Sequence, residues 1–225
     1  MFDSFDLAWQ YFKKHGLGLG LFFMLLCLFI AVLNYLCFPQ EFWAKYEEVV
    51  LSGDLNKITI LQPYIEEAAN KTWIVNIVQF LLMMGVFNIA NSIVSNTYKG
   101  ILADFRLTFL QYLKLLEVIC IVLLVVMFSS YLSILLSLSL LIMLQFAVPH
   151  LIDHKDDSPI LALKASIKVV MANPGKVVAL DLLCILVLII GVICLFVGIY
   201  FAFILALFAY LIAYKNFTGS NLSEK

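Results

Sequence analysis

Charged residues are scarce in this sequence, and long stretches contain almost none. Of 225 residues, 13% are Asp, Glu, Lys or Arg and 64% are hydrophobic, whereas soluble domains carry about 25% charged and about 45–50% apolar residues. Only Glu117 and Asp181 interrupt four long uncharged stretches: 17–38, 73–95, 115–149 and 177–214. So much apolar surface excludes an ordinary soluble fold. The chain is expected to be an integral membrane protein whose partner is the lipid bilayer.

Two further absences exclude other classes of protein. The net charge of −1 leaves no basic excess for nucleic acid, so no nucleic-acid partner is expected. The five cysteines form no Cys-x-x-Cys pair and are odd in number, which argues against a disulfide framework. All of them lie in or at the ends of apolar stretches and are interpreted as small packing residues: Cys27, Cys37, Cys120, Cys184 and Cys194.

The N-terminal region resembles a secretory signal, because Lys13, Lys14 and His15 precede an apolar run. That run spans 17–38, which exceeds the apolar core of about 7–15 residues in a signal peptide. It is also not followed by a small-x-small cleavage site. We therefore expect it to be retained as the first membrane helix.

The lengths of the apolar stretches predict six crossings. A bilayer core of about 30 Å needs about 20 helical residues, so 17–38 and 73–95 fit one helix each. As single helices, 115–149 and 177–214 would run about 52 Å and about 57 Å. Each is expected to fold back, the first at Phe128–Tyr131 and the second between Gly191 and Gly198. One all-α membrane domain results, with spans at about 17–38, 73–95, 115–130, 132–149, 177–195 and 198–214.

The distribution of Lys and Arg supports this count and gives an orientation. With six crossings, both termini and the loops 96–114 and 150–176 share one side and carry eleven of the fourteen Lys and Arg residues. Four crossings would divide these residues equally. Because cytoplasmic loops are enriched in Lys and Arg, both termini are expected to be cytoplasmic. The loop 39–72 is then extracytoplasmic, and Phe42, Trp43 and Tyr46 predict an amphipathic helix in it.

The chain can be divided into three similar units. Each begins with a cytoplasmic amphipathic segment, 2–15, 98–114 or 158–172, and continues into a membrane hairpin. Ser158-Pro159 predicts a helix start in the third unit, and Asn173-Pro174 predicts its break. Two interpretations stay open: a parallel internal repeat, or basic lead-ins of the kind that any hairpin entering from the cytoplasm tends to have.

The third unit carries a recognisable pattern. It contains Pro149 and Asp153, then Ser158-Pro159 through Ser166, then Asn173-Pro174-Gly175-Lys176 and, at its end, Ala213-Tyr214-Lys215. Over 149–215 the chain resembles bacterial six-helix membrane proteins related to the membrane domain of some glycerophosphodiester phosphodiesterases. The resemblance implies a bacterial cytoplasmic membrane and brings no catalytic signature, because the phosphodiesterase chemistry of those proteins lies in a separate soluble domain.

Polar residues inside the apolar stretches are the candidates for a ligand site. Helix two is the predicted span 73–95. Near its cytoplasmic end, Asn88, Asn91, Ser92 and Ser95 fall on one face, where lipid cannot satisfy them. They are interpreted as inter-helix hydrogen-bonding groups or as a ligand-lining face. Glu117 and Asp181 are interpreted as interfacial anchors or partners of a nearby Lys, or as a proton or substrate relay.

Catalytic and metal motifs are weaker. His150, Asp153 and His154 have i, i+3, i+4 spacing, which on a helix would suit a metal ion. The charged run 153–157 favours a solvated loop instead, so neither metal nor cofactor is expected. The favoured hypothesis is a non-enzymatic accessory protein, scaffold or subunit of a membrane complex, with another membrane protein as partner. The alternative is a small transporter or lipid-handling protein that uses the polar face of helix two.

Overall fold

The computed structural model describes residues 2–53, 55–107, 109–194 and 197–219, and the secondary structure in these ranges is helical throughout. Short π-helical and 3₁₀ segments, Phe12–Gly16 and Leu55–Leu61, accompany the α-helices. The α-helices are α1 Phe2–Tyr11, α2 Leu17–Cys37, α3 Gln40–Ser52, α4 Gln62–Val94, α5 Ile101–Asp104, α6 Phe109–Leu132, α7 Ile134–Leu144, α8 Ala147–Asp153, α9 Pro159–Ala172, α10 Pro174–Ile193 and α11 Val197–Thr218.

The predicted all-α polytopic fold is confirmed. Within the described ranges, six helical segments are long and apolar enough to cross a membrane: Ser4–Cys37, Lys71–Val94, Phe109–Tyr131, Ile134–Asp153, Pro174–Ile193 and Val197–Thr218. The first combines α1, the π-helical turn and α2, and the fourth combines α7 and α8. The 35-residue and 38-residue apolar stretches are therefore each two helices.

The predicted amphipathic segment 2–15 is part of the helix that forms the first span. The chain is helical without a break from Phe2 to Cys37, and the predicted amphipathic segment continues directly into the membrane helix. The π-helical turn holds Lys13, Lys14 and His15, and it ends at Gly16. A Cβ on Gly16 would lie 2.3 Å from the ring of Phe12. Glycine is therefore the residue that lets this ring fold back against the backbone.

The first hairpin turn lies beyond the predicted position. α6 continues through Phe128–Tyr131 and ends at Leu132. Ser129 and Ser130 lie within the helix, where their hydroxyls donate to carbonyls three residues earlier. The turn is made by Ser133, whose extended backbone caps α7 and whose Oγ accepts from the N–H of Leu135 at 3.2 Å.

The second hairpin turn lies between Ile193 and Val197. α10 and α11 approach closely there. A Cβ on Gly198 would lie 2.6 Å from the carbonyl oxygen of Gly191, and a Cβ on Gly191 would lie 2.5 Å from that of Ala202. The two glycines therefore set the distance between these helices.

The segment 98–114, predicted as one amphipathic helix, is divided. Gly100 has φ +135°, which glycine adopts without strain, and it precedes the four-residue α5. Phe105–Leu107 is not α-helical, and α6 begins at Phe109. A Cβ on Gly85 of α4 would lie 2.3 Å from the ring of Phe105, so this glycine accommodates the ring against α4.

The chain forms two compact units. One comprises the residues up to Phe22 and from Met84 onwards, and the other is 23–83. In the first, α11 packs against α1 and α10, and it contributes many of the buried side chains, among them Ile204, Leu207, Phe208, Leu211, Ile212 and Tyr214. In the second, Phe42, Val49 and Leu61 form a small core with the partly buried Phe38, Trp43 and Tyr64.

Candidate functional site

The polar face of helix two, the second membrane span, lies on α4 and packs against protein. Asn88 and Asn91 are buried, and Asn88 Nδ2 donates to the carbonyl oxygen of Asp104. Asp104 in turn accepts from the backbone N–H of Lys99 through Oδ2 at 2.7 Å. This arrangement satisfies a carbonyl at the end of α5 that has no partner within the helix. The structure thus gives Asn88 a structural hydrogen bond, and Ser92 is half-buried on the same helix.

Ser95, the last member of that face, belongs to a largely buried ionic cluster. Lys215 Nζ donates to Ser95 Oγ at 2.9 Å and to Asp153 Oδ1 at 2.8 Å. The Lys215 and Asp153 side chains are only 7% and 18% exposed. The cluster connects the ends of α4, α8 and α11. Because a buried charge is costly without its partner, these three groups fix how the helix ends meet.

A second polar chain lies beside the first. His150 Nε2 lies 2.8 Å from Asp157 Oδ2, and His150 Nδ1 lies 2.8 Å from the hydroxyl of Tyr214. The His154 ring stacks on His150 with centroids 4.6 Å apart. Both ring nitrogens of His150 are therefore occupied by protein groups. Within the described residues, no group of three or more His, Cys, Asp and Glu side chains is placed to hold a metal ion.

A cavity of about 320 Å³ adjoins this chain and is lined by His150, His154, Lys168, Tyr214 and Thr218, together with apolar residues. Three helices, α8, α9 and α11, end at its walls. Helix C-termini carry partial negative charge, which favours cationic side chains nearby. Both ring nitrogens of His150 already have protein partners, and Lys168 is exposed, so the polar groups of the cavity do not converge on one position.

The intramembrane acid Asp181 faces a different environment. A groove of about 480 Å³ is lined by α7, α10 and α11, and its walls are mainly aliphatic. Asp181 lies seven residues into α10, about 10 Å along the helix. Its Oδ2 accepts from Gln145 Nε2 at 3.2 Å. The other polar groups of the lining are the Cys184 thiol and the Tyr210 hydroxyl. Asp181 is thus a half-buried carboxylate in a largely apolar groove.

Glu117 is placed differently from Asp181. It is exposed on α6 and does not belong to the lining of this groove. Lys114, the neighbour expected to pair with it, donates instead to the carbonyl oxygen of Lys155 at 2.9 Å. The structure therefore separates the two acids that the sequence analysis treated together.

Gln145 and Tyr210 are site residues that the sequence analysis did not select. Gln145 is the only amide in 115–149, and such a polar residue within an apolar span is itself a signal of function or pairing. Its relation to Asp181, 36 residues away, depends on how α7 and α10 pack. No family model, curated protein or solved structure matches this chain.

Proposed function

We propose that this chain is a non-enzymatic, lipid-handling membrane protein that binds an amphiphile in the groove at Asp181. The observation that carries the proposal is a half-buried carboxylate that accepts a hydrogen bond from an amide inside a largely apolar groove. Ligand sites have this character, with apolar walls and a few polar groups that orient the ligand. The volume of about 480 Å³ lies within the range of about 300–1,000 Å³ usual for such sites.

The carboxylate indicates the chemistry of the ligand. An ionised carboxylate in an apolar environment is stabilised by each hydrogen bond it accepts, and Gln145 supplies one through Oδ2. The proposed ligand therefore has an aliphatic chain and a head that donates hydrogen bonds, such as a primary amine or an alcohol. A fatty acid of the same length would place two carboxylates together and should bind more weakly.

The test uses the full-length protein reconstituted in nanodiscs. Binding of a fluorescent long-chain amine is compared with that of the matched fatty acid, for wild type, Asp181→Asn and Glu117→Gln. Loss of a charge-assisted hydrogen bond, worth about 1.5–3 kcal/mol, should weaken amine binding by about tenfold or more in Asp181→Asn. Glu117→Gln removes the same charge from an exposed position and should bind as wild type does.

A variant that fills the groove separates ligand binding from an indirect effect of charge. Leu141 lines the groove, and Leu141→Trp should reduce binding of amine and alcohol alike. Equal binding of amine and acid by wild type, or unchanged amine binding in Asp181→Asn, would contradict the proposal.

A second candidate is an accessory protein, scaffold or subunit of a membrane complex. In α11, 56% of the residues in the most apolar stretch are buried, whereas only 17% are buried in α10 and in α6, and it is α6 that favours this candidate. Phe128 and Tyr131 are 71% and 85% exposed on it. A photoreactive residue at Phe128 should then cross-link to another membrane protein in native membranes. Adducts with lipid alone would contradict this candidate.

We also propose that the membrane is the bacterial cytoplasmic membrane and that both termini are cytoplasmic. The membrane follows from the resemblance over 149–215. The orientation is supported by the eleven-to-three distribution of Lys and Arg, together with the six spans, since an even number of crossings leaves both ends on one side.

A further inference from the structure

We infer that the outward face of α9 is a binding surface for anionic lipid headgroups. This surface is defined by Ile160, Leu161, Lys164, Lys168 and Met171. The inference does not depend on the groove at Asp181, and it concerns the membrane surface instead of the membrane interior.

The orientation of α9 is fixed from its inner side. Pro159, Ala162, Ser166 and Val170 are buried. Ser166 Oγ donates to the carbonyl oxygen of Met143 at 2.7 Å and accepts from the N–H of Phe146 at 3.0 Å. Because these buried residues recur every three or four positions, they lie on one face of α9. This face is held against the C-terminal end of α7. The opposite face is exposed, and Lys168 on it also lines the cavity beside His150 and Tyr214.

That outward face combines apolar and basic side chains. Ile160, Leu161 and Met171 are 59%, 48% and 66% exposed, and Lys164 and Lys168 are exposed between them, one helical turn apart. An exposed face of this composition suits the boundary between acyl chains and headgroups, where the apolar parts insert and the lysine stems reach outward. Water alone would leave these three large apolar side chains without a partner.

The position of α9 along the chain places it at this boundary. Only Asn173 separates it from Pro174, the first residue of the fifth membrane span. With 14 residues, α9 is about 21 Å long, so it can lie along the membrane surface beside the span that it precedes.

The charge of α9 and the residues that follow it favours anionic lipids. Residues 158–176 contain three lysines and no Asp or Glu. None of the carboxylates in the described part of the chain forms an ion pair with Lys164, Lys168 or Lys176. By contrast, the amphipathic helix α3 carries three Glu and one Lys. Lysines near an anionic leaflet are attracted to it, so α9 has the charge complementary to anionic lipids.

The experiment uses the full-length protein in nanodiscs of phosphatidylcholine, with and without phosphatidylglycerol. The variants are Lys164→Gln/Lys168→Gln and, as a control with equal charge loss, Lys45→Gln/Lys71→Gln, whose lysines are exposed and lie 3.7 Å and 3.2 Å from Glu partners. Hydrogen exchange of 159–172 and retention of phosphatidylglycerol in native mass spectrometry are measured.

The expected result is slower exchange of α9 in anionic nanodiscs and preferential retention of phosphatidylglycerol by wild type and the control. Retention should fall about fivefold for each lysine removed from α9. Inorganic phosphate should have no effect beyond that of chloride at equal ionic strength, because the proposed partner is a lipid surface. Equal exchange in both lipids, equal retention by the α9 variant, or displacement by phosphate alone would overturn the inference.

Discussion

Lys215 Nζ lies 2.8 Å from Asp153 Oδ1, so a buried residue near the end of α11 forms an ion pair with the partly buried last residue of α8. Lys215 Nζ also donates a 2.9 Å hydrogen bond to Ser95 Oγ. In the sequence, Asp153 belonged to a charged run that favoured a solvated loop, and Lys215 to an aromatic-basic pair ending the last helix. Their contact shows that these residues hold helix ends together.

Removing one member of this pair should destabilise the protein strongly. Lys215→Met leaves the Asp153 carboxylate without its partner, and breaking a buried pair costs about 3–5 kcal/mol. The double variant Asp153→Asn/Lys215→Met should lose less stability than the sum of the single variants. The measurement is the free energy of unfolding in mixed detergent micelles. As a control, Lys71→Met removes an exposed pair with Glu67 at 3.2 Å and should cost about 0.5 kcal/mol or less.

Ser166 should contribute more to stability than a serine that bonds only within its own helix. Its hydroxyl is fully buried and connects α9 to both Met143 and Phe146. Ser166→Ala should destabilise by about 1–3 kcal/mol, because buried polar groups lose their partner. Ser139 is exposed and donates to the carbonyl of Leu135 in the same helix, so Ser139→Ala should be nearly neutral. Equal losses in the two variants would show that the α9 contact is not specific.

The close approach of α10 and α11 predicts intolerance of side chains at two glycines. Gly191→Ala and Gly198→Ala would each bring a Cβ to within about 2.6 Å of a neighbouring atom, and overpacking of this kind costs about 1–3 kcal/mol. Thermal unfolding in detergent is the measurement. A Cβ on Gly18 would meet no neighbouring atom within 4 Å, and Gly18→Ala should be neutral or stabilising, because alanine favours helix.

The proposed orientation predicts a labelling pattern in intact cells. In a cysteine-free background, Glu47→Cys should react with a membrane-impermeant maleimide, because Glu47 is exposed and the proposed orientation places the loop 39–72 outside the cell. Asp156→Cys, exposed between α8 and α9, should react only after the membrane is permeabilised. Labelling of Asp156→Cys in intact cells would contradict the cytoplasmic placement of both termini.

The polar face of α4, the second membrane span, shows what the sequence alone could and could not decide. The sequence placed Asn88, Asn91, Ser92 and Ser95 on one face, because helical periodicity alone decides that. It left two interpretations, hydrogen bonding between elements and ligand lining. The structure provides Asn88 with the Asp104 carbonyl and Ser95 with Lys215. Both partners depend on contacts outside the helix, which periodicity does not contain.

The two intramembrane acids, Glu117 and Asp181, give a second example of what the sequence could not decide. Their positions relative to the ends of the apolar stretches looked equivalent, and an anchoring or a relay role suited both. Packing separates them, since Asp181 meets Gln145 in a groove and Glu117 is exposed on α6. The difference arises from the rotation of each helix about its axis. Packing against neighbouring helices sets this rotation, and the bilayer does not.

The sequence by itself determined that this is an all-α membrane protein with six spans. A helix must be long enough to cross the bilayer and must satisfy its backbone hydrogen bonds within itself. The length of an uncharged run therefore predicts how many helices it forms, and both constraints act along the chain. Only the tertiary structure decided that Lys215 pairs with Asp153, 62 residues away, and that Asp181 faces a groove. Such pairings depend on side-chain packing between helices distant in sequence, where small differences in rotation decide which groups meet.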